Sequence, residues 1–140
     1  MYTREQIESA VKAKGYKWFE NGDYNVNIVG IRNMETGDRV TNRFDDHLTI
    51  SYKVDGEWCY EIFNCTTDPG DDWMDKPMLE KGCAILVPGQ YRGSHKLRLH
   101  QGKYLALGQQ RPVKVYRDRD KDGMYDFDET TIDEGLFGIN

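Results

Sequence analysis

The stretch HLTISYKVDGEWCYEIFNC, residues 47–65, alternates two kinds of side chain on either side of a central Asp55-Gly56. An Asp-Gly pair suits the two positive φ angles of a type I′ turn, so the stretch reads as two antiparallel strands joined by a two-residue loop. With that loop, Val54 faces Glu57, Tyr52 faces Cys59, Ile50 faces Glu61 and Leu48 faces Phe63. These residues share one face, apolar except for Glu57 and Glu61. The opposite face carries His47, Thr49, Ser51, Lys53, Trp58, Tyr60, Ile62 and Asn64, which either line a groove or meet solvent. Glu61 is a candidate general acid or base if it is desolvated opposite Ile50. A slipped register, or an apolar face only half covered, would leave it an ordinary carboxylate.

Outward from the hairpin the period of two persists. YNVNIVGIR precedes it, and CAILVPGQY, HKLRLHQ with KYLALGQ, and VKVYRD follow, separated by Gly- and Pro-bearing stretches such as TTDPGDD, VPGQYRGS and QQRP. Only the amino end departs from this rhythm. Thr3 and Gln6 form a capping box, Ile7, Ala10 and Val11 follow at helical spacing, and Gly15 stands behind Lys12 and Lys14, so a helix is expected over residues 4–14. The fold expected is a mainly β (α+β) single domain over residues 1–140, an antiparallel sheet of sandwich- or barrel-like form with one short N-terminal helix.

The 140 residues and 16.3 kDa suffice for one core, and 17 aromatic residues argue against a disordered chain despite 31% charged residues. No apolar run reaches the ~20 residues of a membrane helix, and MYTREQIESA does not read as a signal peptide. A chain that starts in the cytoplasm, with no membrane partner, is the expectation. Cys59, Cys65 and Cys83 lack C-x-x-C spacing and read as buried free thiols. The net charge of −5 is concentrated: residues 118–134 hold eight acids and two bases, leaving +1 for the rest of the chain.

That acidic segment begins with DRDKDGMYDFDE, residues 118–129. Carboxylates at positions one, three and five, glycine at six, a carbonyl at seven and glutamate at twelve supply the oxygens that Ca2+ takes. The candidate ligands are Asp118, Asp120, Asp122, the Met124 carbonyl and Glu129, with Asp126 at the position often bridged by water. The flanks are not those of an EF-hand, because RPVKVY alternates like a strand and TTIDEGLFGIN is a poor helix. The reading is a strand-flanked calcium loop, with a solvated acidic turn as the alternative. Mg2+, which prefers octahedral sites with retained water, fits less well.

Two further segments carry charge. RGSHKLRLHQGK, residues 92–103, has four bases, two histidines and no acid, and alternation puts Lys96, Arg98 and His100 on one side of a strand. It would suit a phosphate or an anionic polymer, or serve as a solvated face; no nucleic-acid-binding motif accompanies it. TTDPGDDW, residues 66–73, offers Asp68, Asp71 and Asp72 as a second cation site, a substrate-binding turn or simply a turn. No P-loop, G-x-S-x-G or H-E-x-x-H motif occurs.

The order of YNVNIVGIR, NRFDDHLTISY, TTDPG, AILVPGQYRGSHKLRLHQGKYLALGQ, VKVYRD and GLFGIN resembles a family of uncharacterised proteins encoded by bacteriophages and bacteria. Longer members continue from the equivalent of FGIN into Ile-His-Arg and a later Ser-x-Gly-Cys, an ending similar to the active-site signature of the L,D-transpeptidases. In those β-sandwich enzymes a histidine-activated cysteine attacks a peptidoglycan stem peptide. The resemblance implies a phage-type, cell-wall-directed domain with peptidoglycan or another anionic cell-surface polymer as partner, and a chain truncated before its catalytic segment. Neither the histidine nor the cysteine has a counterpart among the 140 residues, so no catalytic residue carries over. The alternative is a non-catalytic, calcium-stabilised β module that acts as a phage structural or host-factor-binding protein.

Overall fold

The Asp55-Gly56 turn forms with φ of 52° and 79°, and the strands on either side pair in the register that a two-residue loop dictates, from Val54↔Glu57 through Ile50↔Glu61 to Asp46↔Cys65. A computed structural model describes residues 1–33, 44–67, 76–77, 80–122, 124 and 127–137. It is mainly β and antiparallel, with one short N-terminal helix and, among the described residues, no closed barrel. Two compact units are distinguished, one built from residues 1–35 and 42–67, the other from 36–41 and 68–140.

In the first unit, helix α1 (Arg4–Ala13) starts at the expected capping box: the Gln6 amide donates to Thr3 Oγ1 at 3.2 Å and the Thr3 amide to Gln6 Oε1 at 2.9 Å. Gly15, at φ 75°, follows the helix. Strands β1 (Asn27–Ile31), β2 (Asp46–Val54) and β3 (Glu57–Cys65) form a sheet in that order, Ile28 opposite Ile50 and Val29 opposite Thr49.

The face this sheet buries is the one that alternation left open between groove and solvent. Thr49 and Ser51 are 0% and 1% exposed, whereas Phe63 and Ile28 on the apolar face are 47% and 42% exposed. The cause lies in the amino-terminal segment. The Arg4 guanidinium sits 4.5 Å from the Trp58 ring, Trp18 packs on Trp58 with centroids 5.6 Å apart, Tyr2 meets His47 edge-on, and the Tyr60 hydroxyl donates to the Tyr2 carbonyl at 2.7 Å. Short Thr49 and Ser51 let the covering segment come close, while the Trp58 ring supplies apolar area. Buried Ile7 and Trp18 each contribute roughly 1.5–3 kcal/mol of transfer free energy there.

Buried polar groups lock this unit. Asn27 brackets Phe19, accepting from its amide at 2.8 Å and donating to its carbonyl at 2.7 Å. Asp46, 3% exposed, accepts from the Asn33 amide and from both the amide and hydroxyl of Thr67, at 2.7–2.9 Å. Asp23 accepts from the Asp55 and Gly56 amides, holding the hairpin turn from outside.

In the second unit, β4 (Ala84–Leu86), β7 (Val113–Arg117) and β8 (Ile132–Gly135) form one antiparallel sheet with β7 central. Val113 and Val115, 1% and 0% exposed, point to one side of β7, and Ile85 packs with Cys83 and Tyr116. Strands β5 (His95–His100) and β6 (Tyr104–Gln109) form a separate two-stranded ribbon, turned by Gln101 and Gly102 at φ 51° and 71°. Gln109, 3% exposed, ends the ribbon: its side-chain amide donates to the Arg111 and Gly135 carbonyls, and its oxygen accepts from the Phe137 amide at 2.9 Å. Strand β8 was not foreseen, because IDEG has one apolar residue and becomes a strand only by pairing with β7.

Candidate functional site

The acidic stretch is the connection between neighbouring strands β7 and β8. Alternation along VKVYR places Arg117 on the side of Val113 and Val115, and Arg117 is accordingly 4% exposed. Its charge is satisfied: Nη1 donates to the Gly82 carbonyl at 2.9 Å, Nη2 lies 3.4 Å from Asp133 Oδ2, and the guanidinium lies 4.8 Å from the Phe137 ring. The next residue, Asp118, is 2% exposed, its amide donating to the Cys83 carbonyl at 2.9 Å. Gly82, at φ 84°, lies against this backbone so closely that a Cβ would collide with the Asp118 carbonyl.

Beyond Asp118 the chain turns. The Lys121 amide donates to the Asp118 carbonyl at 3.3 Å with Lys121 at φ 56°, and the Met124 amide donates to Asp122 Oδ1 at 2.9 Å. Asp118, Asp120 and Asp122 each bring a carboxylate oxygen to within 4.8 Å of the other two. Two oxygens on one calcium ion, each at about 2.4 Å, are never more than about 5 Å apart, so the three fit a common cation. The Asp122 carboxyl is held below its ordinary value first by the Met124 amide hydrogen bond; desolvation, second in weight, works in the opposite direction, and the neighbouring Asp118 and Asp120 add smaller lowering contributions. Asp128 is likewise held down, by the Thr130 amide and hydroxyl, and it starts the 3-10 turn Glu129–Thr131 by accepting from the Thr131 amide.

Three of the expected ligands are thus brought together, and Met124 follows them as an exposed residue whose amide already faces Asp122. Asp126 and the side chain of Glu129 lie outside the described residues, as does Gly123, and so do Asp68, Asp71 and Asp72 of the second proposed turn. The parts that sequence reading missed are Gly82, Lys81 and Asp133. Lys81 reaches Asp133 Oδ2 at 3.2 Å and joins Arg117 there. The alternation of VKVYR was a usable signal for a buried Arg117; nothing in the sequence marks its partners.

The remaining candidates separate. Glu61 keeps its place opposite Ile50 and is exposed, on a face that is half covered. Cys59, Cys65 and Cys83 are half-buried and form no disulfide among the described residues. Burial pushes the Cys65 and Cys83 thiols up, with Asp46 adding to the first and Asp118 to the second, and Arg117 only partly opposes the rise at Cys83. Both shifts disfavour the thiolate that a nucleophile needs. Lys96, Arg98 and His100 share one side of β5, as expected; Arg98 donates to the Gln109 carbonyl at 2.7 Å and lies over Gly108, where any Cβ would meet it.

Comparison of the chain with protein-family models, with curated proteins and with solved structures finds no match.

Proposed function

We propose that this chain is a calcium-braced β module of a cell-wall-directed protein of phage type, in which the β7–β8 loop binds Ca2+ and fixes the end of the central strand. The observation that carries the calcium reading is the convergence of Asp118, Asp120 and Asp122 within 4.8 Å at the positions one, three and five of a calcium loop. Asp118 extends directly from β7, so an ion held there would tie the loop to the sheet. The wall-directed part of the proposal is supported by the order of sequence segments and by a basic ribbon suited to an anionic polymer. The raised thiols of Cys65 and Cys83 favour a supporting role over catalysis by these residues.

Binding to the native state alone stabilises by mass action, about 2.7 kcal/mol at a free ion concentration one hundred times Kd. Calcium is therefore expected to raise the melting temperature, and Asp118→Ala, Asp120→Ala and Glu129→Ala to remove the rise. Asp120 is exposed, so its replacement separates loss of ligation from loss of packing. Identical melting curves in calcium and in chelator would remove the calcium reading. Sedimentation with purified peptidoglycan tests the wall partner separately.

A further inference from the structure

The wall reading uses the basic side chains of the β5–β6 ribbon, but neither it nor the calcium reading uses the ribbon's apolar face. Its register pairs Leu97 with Leu107 and Leu99 with Leu105, which puts four leucines on one face. Leu97, Leu99 and Leu105 are 68%, 60% and 68% exposed, and Tyr104, beside the turn, is 58% exposed. Charge along this segment of the chain is one-sided. From Gly82 to Tyr116 the chain has six lysines and arginines and no aspartate or glutamate, within a protein whose net charge is −5. Lys96 on the opposite ribbon face and Lys103 in the turn are exposed and form no ion pair among the described residues.

We propose that this ribbon docks on an anionic lipid surface, its leucine face entering the headgroup–acyl boundary and its lysines reaching lipid phosphates. Interfacial attachment of this kind combines buried apolar area with cationic side chains whose stems lie along the boundary, and it requires no spanning segment. A second copy fits less well. Leucine-to-leucine contact would bring two acid-free ribbons together, and three exposed leucines are a small patch beside the roughly 20–30 residues a side of a stable protein pair. An acidic protein partner also fits less well, because protein hot spots favour Trp, Tyr and Arg and rarely Leu.

The test is co-sedimentation with phosphatidylcholine vesicles prepared with and without phosphatidylglycerol, using the whole chain. The wild type should sediment with the anionic vesicles, bind neutral ones at least about tenfold more weakly, and be released by salt. Leu97→Ser/Leu105→Ser should lower anionic-vesicle binding by about tenfold or more with an unchanged melting temperature. Lys96→Glu/Lys103→Glu, which leaves the leucines in place, should lower it about tenfold or more and flatten the salt dependence. Failure of the wild type to sediment, or equal binding to both vesicle types, would overturn the proposal. So would concentration-dependent dimerisation that the serine variant abolishes while vesicle binding persists.

Discussion

The two long hairpins, β2–β3 and β5–β6, are built on the same alternation and turned by paired left-handed residues, yet their apolar faces meet different fates. In β2–β3 the mixed face, with Thr49 and Ser51 at its centre, is sealed by α1 and Trp18, and the more apolar face is left half covered. In β5–β6 the leucine face stays exposed, with no such cover among the described residues, and the ribbon is held to its unit at one end by Gln109. Alternation determines which residues travel together. What covers them depends on which distant segment brings a large side chain, and small residues such as Thr and Ser invite close approach as effectively as apolar ones.

The contrast is most easily broken at its centre. Trp18→Ala should cost about 3–5 kcal/mol in urea denaturation, whereas Leu97→Ser should change stability by no more than about 0.5 kcal/mol. Similar losses for the two would mean that the ribbon face is packed after all. Next in size, Asp46→Ala strands the amides of Asn33 and Thr67 and the Thr67 hydroxyl without their acceptor, an expected loss of about 3 kcal/mol. Retention of full stability would show that water replaces the carboxylate.

The turns differ too, since Asp at 55 tolerates the left-handed region better than Gln at 101. Gln101→Asn should stabilise by about 0.5 kcal/mol, and Asp55→Asn should be close to neutral. A destabilised Gln101→Asn would show that the glutamine side chain supports the turn.

The smallest effect concerns Asp133. Burial works against its charged form, but the Lys81 hydrogen bond and the charges of Lys81 and Arg117 outweigh it and hold the carboxyl below its ordinary value. The stabilisation from a depressed carboxyl is complete above the unfolded value of about 3.9 and is lost as pH falls through the lower folded value. The gap in melting temperature between wild type and Asp133→Asn should therefore be open at neutral pH and close below about pH 4. A gap that stays constant with pH would point to packing as the cause.

Legibility in the sequence followed the range of the interaction. Local rules sufficed for the capping box at Thr3 and Gln6, the Asp55-Gly56 turn with its register, and the strands around VKVYR and HKLRLH. Which face of β2–β3 is buried stayed open in the sequence because Trp18 and Arg4, far along the chain, decide it. Strand β8 was hidden because IDEG looks like a loop until β7 lies beside it. At the candidate site, the spacing of Asp118, Asp120 and Asp122 was readable from the loop alone, but Gly82 and the Lys81–Asp133–Arg117 cluster that anchor its root come from three other places in the sequence.

The contact between Gly82 and the Asp118 backbone has an implication for inheritance. A side chain at position 82 would push on the first residue of the acidic loop, so a lesion there would present as a defect of the loop while every acidic residue stayed intact. Genetic screens for loss of loop function should return position 82 alongside the aspartates, and suppressors of such a lesion should map to the backbone around residues 118 and 119 rather than to neighbours of 82 in the chain.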